Sequence, residues 1–175
     1  MELSVINPAF VLGPPVLPRA AGESVAFAQR LLSGELRESG APSGAFGAID
    51  VRDVGIAHIH AMTRPAAAGK RFILSSSVAM TQLDVSNVLR GAGQEFWPWH
   101  DRLPTRYEDA NMVDKDIFRL KFNNAQATRV LSVTPRPIEE TMADMARAMV
   151  KLGLVDDLAQ LLEDAKAAHA KKDEL

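Results

Sequence analysis

The amino-acid sequence predicts an α/β fold, and two kinds of segment predict it. Short apolar runs of strand length, such as Val5–Ile6, end at proline, glycine or serine. Longer segments with apolar residues at helical spacing alternate with these runs. Strands that alternate with helices build sheets covered by helices. Because ligands bind at the carboxyl ends of the strands in such sheets, the loops after the strands are the first places to look for a site.

Length and composition describe a globular protein. The 175 residues suffice for one ordinary domain with a core, and they are 47% hydrophobic and 24% charged. A net charge of −2 gives no reason to expect a nucleic acid or an anionic membrane as partner. The absence of cysteine excludes a disulfide scaffold, a thiolate nucleophile and a cysteine-ligated metal. No apolar run approaches the roughly 20 residues of a membrane span, so we expect a soluble, cytoplasmic protein.

The two termini resemble targeting signals. Residues 3–18 are apolar, but Glu2 in place of a basic residue, Asn7 and four prolines argue against a signal peptide. The last four residues, Lys172–Leu175, match a retention address for the endoplasmic reticulum, which acts only on proteins that have entered the secretory path. We interpret them as a charged helical tail.

The first strand is interrupted by a proline. An apolar run over Val5–Ile6 breaks at Asn7-Pro8, resumes at Phe10–Leu12 and stops at Gly13-Pro14-Pro15. Proline has no N–H and a fixed φ, so Pro8 cannot lie inside a central strand. The pattern therefore predicts a strand that ends in a stiff loop.

The next segments predict two helices around a loop. Ser24 is the expected N-cap of a helix that reaches Leu32 and stops near Gly34. Residues 38–47 are rich in glycine and are predicted to be a loop. Asp50 is the expected N-cap of the second helix, with Asp53 in its first turn.

Two histidines on that second helix raise the question of a metal site. His58 and His60 lack the i, i+4 spacing of a helical metal pair, and no third ligand lies near them in the sequence. We predict no metal.

A second strand and helix follow. Residues 69–77 predict a strand that ends in a polar loop. Thr81 is the expected N-cap of the next helix, with Asp84 at its third position and an end at Arg90-Gly91.

Trp97 and Trp99 flank Pro98 in a segment without periodicity. They could form a lid or wall for an aromatic or apolar substrate, or an aromatic patch that packs a loop. Both interpretations stay open.

The last third predicts three helical segments. Residues 123–131 form a short capped helix, and Pro137 opens a longer one that ends at Gly153. The longer helix has Glu139 and Glu140 near its N-terminus and an apolar stripe of methionines, which is ordinary core. An amphipathic helix begins at Asp156 and runs into the charged tail.

Four motifs resemble those of extended short-chain dehydrogenases/reductases, within the NAD-dependent epimerase/dehydratase superfamily. They are Asn7-Pro8-x-x-Val11-x-Gly13-Pro14, the Asp-Val-Arg-Asp-Val segment from Asp50, the Arg-Phe-Ile-Leu-Ser-Ser segment from Arg71, and residues 134–141. The resemblance is strongest to dihydroflavonol, cinnamoyl-CoA and aldehyde reductases, and it covers residues 3–155. It implies the C-terminal portion of a doubly wound Rossmann-type domain plus its smaller substrate lobe, without the N-terminal dinucleotide-binding strands.

The resemblance implies two regions and a site. Residues 1–155 would be the C-terminal half of an extended reductase, and 156–175 its C-terminal helix and tail. The cofactor would be NADP or NAD, with its nicotinamide against Pro8, Ala9, Phe10 and Val11. The substrate side would be formed by Gly13, Pro14, Trp97 and Trp99.

The family's catalytic groups are not found in the sequence. The family uses a Tyr-x-x-x-Lys pair, in which lysine lowers the pKa of the tyrosine so that the phenol can exchange a proton with the substrate oxygen. The one tyrosine, Tyr107, is followed four residues later by Asn111, and no glycine-rich dinucleotide fingerprint occurs. We therefore assign no catalytic residue and expect a truncated carbonyl reductase that is inactive alone.

The alternative is a non-catalytic binding or partner module derived from the same family. The expected partners are a small carbonyl substrate and a missing N-terminal half or another reductase chain. A hydrolase has little support, because no serine lies in a Gly-x-Ser-x-Gly elbow.

Overall fold

Parallel strands and helices alternate along the computed structural model, which describes residues 2–18, 22–93, 97, 99–109 and 120–156. The strands are β1 (Val5–Pro8), β2 (Phe10–Leu12), β3 (Ala45–Phe46), β4 (Ala48–Asp50), β5 (Arg71–Leu74) and β6 (Met80–Thr81). The helices are α1 (Glu23–Ser33), α2 (Glu35–Ser39), α3 (Val51–Thr63), α4 (Gln82–Gly91) and α5 (Ile138–Lys151). The predicted α/β fold is confirmed.

The strands pair two by two. β1 lies parallel to β5, with Pro8 opposite Leu74, and β2 lies parallel to β4, with Leu12 opposite Asp50. β3 and β6 form a short antiparallel pair with Phe46 opposite Met80. β3 lies within 38–47, which we predicted to be all loop. The prediction was wrong there because the partner strand comes more than 30 residues later in the chain.

Pro8 is accommodated because it faces an unpaired edge. The N–H groups of Val5 and Ala9 donate to the carbonyls of Lys70 and Leu74, both at 2.9 Å. Neighbouring residues of a strand turn their backbone groups to opposite sides, so Pro8 faces away from β5. Among the described strands none pairs with that edge of β1. The missing N–H therefore breaks no ladder bond, as expected for a proline at an edge.

Helix α1 starts differently from the prediction. Its N-cap is Gly22, at φ 135° and ψ 140°, and no side chain caps it. The prediction of Ser24 as the cap was wrong, because the helix already begins at Glu23. The predicted stop is confirmed, since Gly34 is the C-cap in the left-handed conformation at φ 84°.

The other caps follow the sequence. Asp50 caps α3 by accepting a 2.8 Å hydrogen bond from the N–H of Arg52. Thr81 and Asp84 form a complete capping box at the start of α4. Pro137 precedes α5, with Glu139 and Glu140 in the first turn of that helix.

The predicted short helix at 123–131 is present in a modified form. The side chain of Asn123 accepts from the N–H of Ala125 at 3.2 Å, but Ala127–Leu131 is π-helical. The turn ends at Ser132, whose φ of 54° is the only positive value among the described residues other than glycine.

Two apolar clusters hold the elements together. The larger lies between α1, α2, α4, α5 and β2, and the methionines of α5 are part of it. The smaller lies between the β1–β5 pair, α3 and residues 127–133. On β5, Phe72 and Leu74 are buried in the smaller cluster, whereas Arg71 and Ile73 alternate with them on the exposed face.

Several predictions fall outside the described residues. The helix expected from Asp156 onward and the tail fall on residues 157–175, which lie outside the described residues, so the proposed boundary at 155 stays a prediction. Pro98 also lies outside the described residues. Within the described helices, none is long and apolar enough to cross a membrane.

Candidate functional site

The carboxyl end of the β1–β5 pair meets the amino end of the β2–β4 pair at residues 8–11. β1 ends at Pro8 beside Leu74, the last residue of β5. The N–H of Ala9 then donates to the carbonyl of Leu74 at 2.9 Å, and the N–H of Phe10 to that of Gly47 at 3.0 Å. The chain thus passes from one strand pair to the other at the edge where ligands bind in α/β sheets. This segment runs from Pro8, the last residue of β1, through Ala9 into the first two residues of β2; it is called the loop from Pro8 to Val11 below and is the segment predicted to face a nicotinamide.

Phe10 belongs to a cluster of three aromatic rings. Its ring lies 5.5 Å from that of Phe27 on α1 and 5.4 Å from that of Phe46 on β3. Phe27 and Phe46 are 5.4 Å apart, and all three pairs are edge-to-face. The rings are half-buried and pack on the larger core. No local pattern in the sequence indicates Phe27 or Phe46 as part of a site, because the three rings come from distant segments.

Gly13 makes a tight turn after β2. It is buried at φ 120°, and a Cβ there would lie 3.0 Å from Cγ1 of Val51 and 3.3 Å from Oδ1 of Asp50. Its N–H points at the sulfur of Met145, 3.4 Å away. A side chain at this position would be both strained and crowded, so glycine is required. Pro14, which follows, is half-buried.

A cavity of about 310 Å³ lies between the end of β4, the loop after β5 and the start of α5. Its volume is at the lower end of the range for small-molecule sites. Its polar lining consists of Asp50, Ser76, Ser77, Thr134, Arg136 and Thr141. None of the eight predicted site residues lines it.

An ion-pair network forms the charged wall of this cavity. Arg52 binds Asp50 through Nε and Nη2 at 2.9 and 2.8 Å, and Asp144 on α5 through Nη1 at 2.6 Å. Burial opposes ionisation of Asp50, but the hydrogen bonds from Arg52 and Thr141 outweigh it, so the pKa of the Asp50 carboxyl is lowered. The hydrogen bond to Asp50 is the main reason that the pKa of Arg52 is raised.

A second ion pair lies beside the first. The guanidinium of Arg136 binds Asp53, and the backbone N–H of Arg136 donates to the same carboxylate at 2.9 Å. Arg136 Nε also lies 3.3 Å from Glu140. Burial raises the pKa of the Asp53 carboxyl even though Arg136 acts against the rise. Both arginines are therefore occupied by carboxylates of the protein itself.

Trp97 and Trp99 lie in the larger core. They are 0% and 6% exposed, and their rings pack edge-to-face 5.4 Å apart. This position favours the packing interpretation. Trp99 also borders a cavity of about 250 Å³ on the far side of α1, with Gln29 and Arg102. The substrate-side role of the two tryptophans stays a prediction.

The remaining titratable candidates have local partners. His58 and His60 contact the backbone carbonyls of Val54 and Leu131. The hydroxyl of Tyr107 lies 3.1 Å from Oγ1 of Thr81, at the capping box of α4. A search of the described residues finds no cluster of three or more side chains that could ligate a metal.

Sequence comparison finds reductases. No protein-family profile matches the chain. Cinnamoyl-CoA reductase 1 of Arabidopsis thaliana is 32% identical over 153 residues, which cover 87% of this chain and 41% of that protein. The NADPH-dependent methylglyoxal reductase GRE2 of Saccharomyces cerevisiae is 25% identical, with 86% of this chain and 43% of that protein covered. The chain thus spans less than half the length of these curated relatives.

Structural comparison agrees with the sequence. Yeast methylglyoxal/isovaleraldehyde reductase Gre2 in complex with NADPH matches with a TM-score of 0.66 at 25% identity, over 88% of this chain and 47% of that one. UDP-glucose 4-epimerase of Thermotoga maritima matches with a TM-score of 0.61 at 22% identity, over 86% and 47% of the two chains. The similarity to the epimerase bears on the fold alone. Both matches support the predicted C-terminal portion of a Rossmann-type fold.

Proposed function

We propose that this chain forms the nicotinamide side and the substrate side of an NAD(P)-dependent carbonyl reductase, because it belongs to a superfamily that contains such enzymes. That superfamily is the NAD-dependent epimerase/dehydratase superfamily of extended short-chain dehydrogenases/reductases. The observation that carries this proposal is the loop from Pro8 to Val11, which follows the carboxyl end of the β1–β5 pair and leads into β2 beside three aromatic rings. The names of the relatives, reductases of cinnamoyl-CoA and methylglyoxal, support carbonyl reduction.

The loop fits the nicotinamide end of NADP or NAD. Pro8 is exposed, and Ala9 adds a single methyl group beside it, so the backbone is open to a flat ring. Phe10 and Val11 are half-buried and apolar, and the loop has no charged side chain. The nicotinamide, when bound, supplies the hydride that reduces a carbonyl. The role of these residues is to support the ring and to keep water from the reacting carbon.

The aromatic rings favour an apolar substrate. Phe10, Phe27 and Phe46 present partly exposed aromatic surface next to the loop. An aldehyde or ketone with an apolar or aromatic substituent would bury surface against them. Gly13 and Pro14 would shape the turn on this substrate side.

The catalytic groups must come from other residues. The 175 residues contain neither a Tyr-x-x-x-Lys pair nor a glycine-rich dinucleotide fingerprint. We place these groups in another segment, of the same polypeptide or of a partner chain, that pairs with the free edge of β1. By the alternation along β1, the backbone groups of Ile6 face that edge.

Exposed apolar side chains beside this edge suit such docking. Leu3 is 74% exposed before β1, and Ile59 and Met62 are 56% and 79% exposed on α3. A groove of about 320 Å³ is lined by Ser4, before β1, and by Met62, at the end of α3. Parallel sheets normally have strands and helices as neighbours on all sides, so this surface is the expected contact for the rest of a doubly wound domain. On this account the 175 residues are inactive alone.

The test is a fusion of this chain behind the N-terminal half of Arabidopsis cinnamoyl-CoA reductase 1. We expect the fusion to oxidise NADPH with apolar aldehydes and the chain alone to show no turnover. A fusion in which the donated catalytic tyrosine is changed to phenylalanine is the control and should be inactive. A folded fusion without turnover, or turnover by the chain alone, would overturn the proposal.

A non-catalytic partner module is the second candidate. The observation in its favour is the well-formed core and capping box of the substrate lobe, which exist without any catalytic group. Monodisperse, cooperatively melting material from the chain alone, together with an inactive fusion, would favour this candidate.

A further inference from the structure

A basic cleft lies along β5, and none of its lining residues belongs to the loop from Pro8 to Val11. Its volume is about 340 Å³. It is formed where β5 meets the turn at 123–131, and its lining is Arg71, Ile73, Asn123, Ala125, Gln126 and Arg129. The side chain of Gln126 donates to the backbone carbonyl of Arg71 at 3.2 Å and so joins the two walls.

The two arginines of this cleft are unusual because their guanidinium groups have no partner. Elsewhere in the described chain, arginines bind carboxylates, as Arg52 and Arg136 do, or carbonyls, as Arg102 does at 2.9 Å. Within the ranges that the structure describes, only Arg37, Arg71 and Arg129 make no side-chain hydrogen bond or ion pair. Two of these three line one cleft.

The other polar side chains of the lining are two amides, and the amide nitrogen of Gln126 already donates to the carbonyl of Arg71. Oδ1 of Asn123 is occupied by the N–H of Ala125, so the amide nitrogen of Asn123 is the group that remains for a ligand. Among the described residues, no aspartate or glutamate lines the cleft. A cavity lined by two guanidinium groups without carboxylate partners attracts anions, even in a chain whose net charge is −2.

We propose that this cleft binds the phosphate group of a small phosphorylated molecule. Guanidinium groups bind phosphate oxygens in a planar, bidentate geometry, and two of them match the charge of a phosphate dianion. The cavity is large enough for a group attached to the phosphate, and Ile73 provides an apolar surface for it. This site is separate from the proposed hydride-transfer site and does not depend on it.

The test is calorimetric titration of the 175-residue chain, and of the fusion, with inorganic phosphate, adenosine monophosphate and citrate at constant ionic strength. We expect saturable binding of both phosphates, tighter for the monophosphate ester, and weaker binding of citrate. Arg71→Gln and Arg129→Gln should each weaken phosphate binding about tenfold or more, because each removes a charged hydrogen-bond donor. Arg37→Gln makes the same change of charge at an exposed site on α2 and should leave the affinity unchanged.

Three results would overturn the proposal: no saturable binding of either phosphate at millimolar concentration, equal affinity in the Arg71, Arg129 and Arg37 variants, or citrate as the tightest ligand. Because the measurement is phosphate affinity and not NADPH turnover, its failure is distinguishable from failure of the proposed reductase function.

Discussion

Arg52 binds Asp144 across 92 residues of sequence, and this 2.6 Å hydrogen bond ties the first turn of α3 to α5. The same guanidinium holds the buried carboxylate of Asp50, which is 2% exposed. The end of β4, the start of α3 and the middle of α5 are thereby fixed in one arrangement. Of these elements, β4 and the first turn of α5 line the 310 Å³ cavity.

Replacing Arg52 with methionine should strongly destabilise the fold. The change leaves the buried Asp50 carboxylate without its charged partner, although the backbone N–H of residue 52 and Thr141 still donate to it, and loss of such a partner typically costs about 3 kcal/mol. Urea unfolding of the fusion measures this loss. Arg147→Met is the matched control, because Arg147 also binds Asp144 but is 61% exposed. It should cost less than about 1 kcal/mol, and equal losses in the two variants would contradict the network's role.

The same network predicts how stability depends on pH. The pKa values of Asp50 and Asp144 are lowered in the folded protein. Their contribution is therefore present above the unfolded value of about 3.9 and is lost as the pH falls through the folded values. We expect the difference in unfolding free energy between wild type and Arg52→Met to stay nearly constant from pH 7 to about pH 4 and to shrink as the pH falls further. A difference that stays constant down to about pH 2 would show that the carboxylates are not its source.

Features set by residues close together in the sequence could be predicted from it, whereas contacts between residues far apart in the sequence could not. The caps at Asp50 and Thr81 were predicted correctly because a cap and the backbone N–H that donates to it lie within three residues. The pair of Arg136 with Asp53 joins residues 83 positions apart, and no local pattern indicates it. β3 was missed for the same reason.

The candidate site likewise combines a local feature that the sequence predicts with long-range contacts that it does not. The loop from Pro8 to Val11 could be located because proline and glycine mark the end of a strand. Its surroundings could not, since Phe27, Phe46 and the cavity lining come from separate segments. The segment around Trp97 and Trp99 has no periodicity that would distinguish a buried pair from a substrate wall.

Ser132 offers a test of backbone strain. It adopts the left-handed conformation at φ 54° and ψ 40°, which is unfavourable for residues with a Cβ. Its hydroxyl accepts from Arg64 at 2.8 Å at the surface. Ser132→Gly should raise the unfolding free energy by about 0.5 kcal/mol, because relief of strain exceeds the loss of an exposed hydrogen bond. Ser132→Ala loses the bond and keeps the strain, so it should be destabilised. Thermal melting distinguishes the two, and similar shifts would argue against strain.

Phe46 should influence which substrate the fusion prefers. Phe46→Ala removes one ring of the aromatic cluster, so an apolar substrate loses contact surface. We expect KM for cinnamaldehyde to rise about tenfold and KM for methylglyoxal to change little, with kcat retained for both. An equal rise for both substrates would indicate general damage to the lobe and not a substrate contact.

The most direct measurement is NADPH-dependent turnover by the fusion carrying Ala9→Trp, compared with the fusion carrying Val16→Trp. Ala9 lies in the loop proposed to support the nicotinamide, whereas Val16 lies outside it and is 88% exposed. A bulky ring at position 9 should displace the nicotinamide and lower kcat/KM about a hundredfold or more, while Val16→Trp keeps wild-type turnover. Equal turnover in the two folded variants would contradict the assignment of this loop to the cofactor.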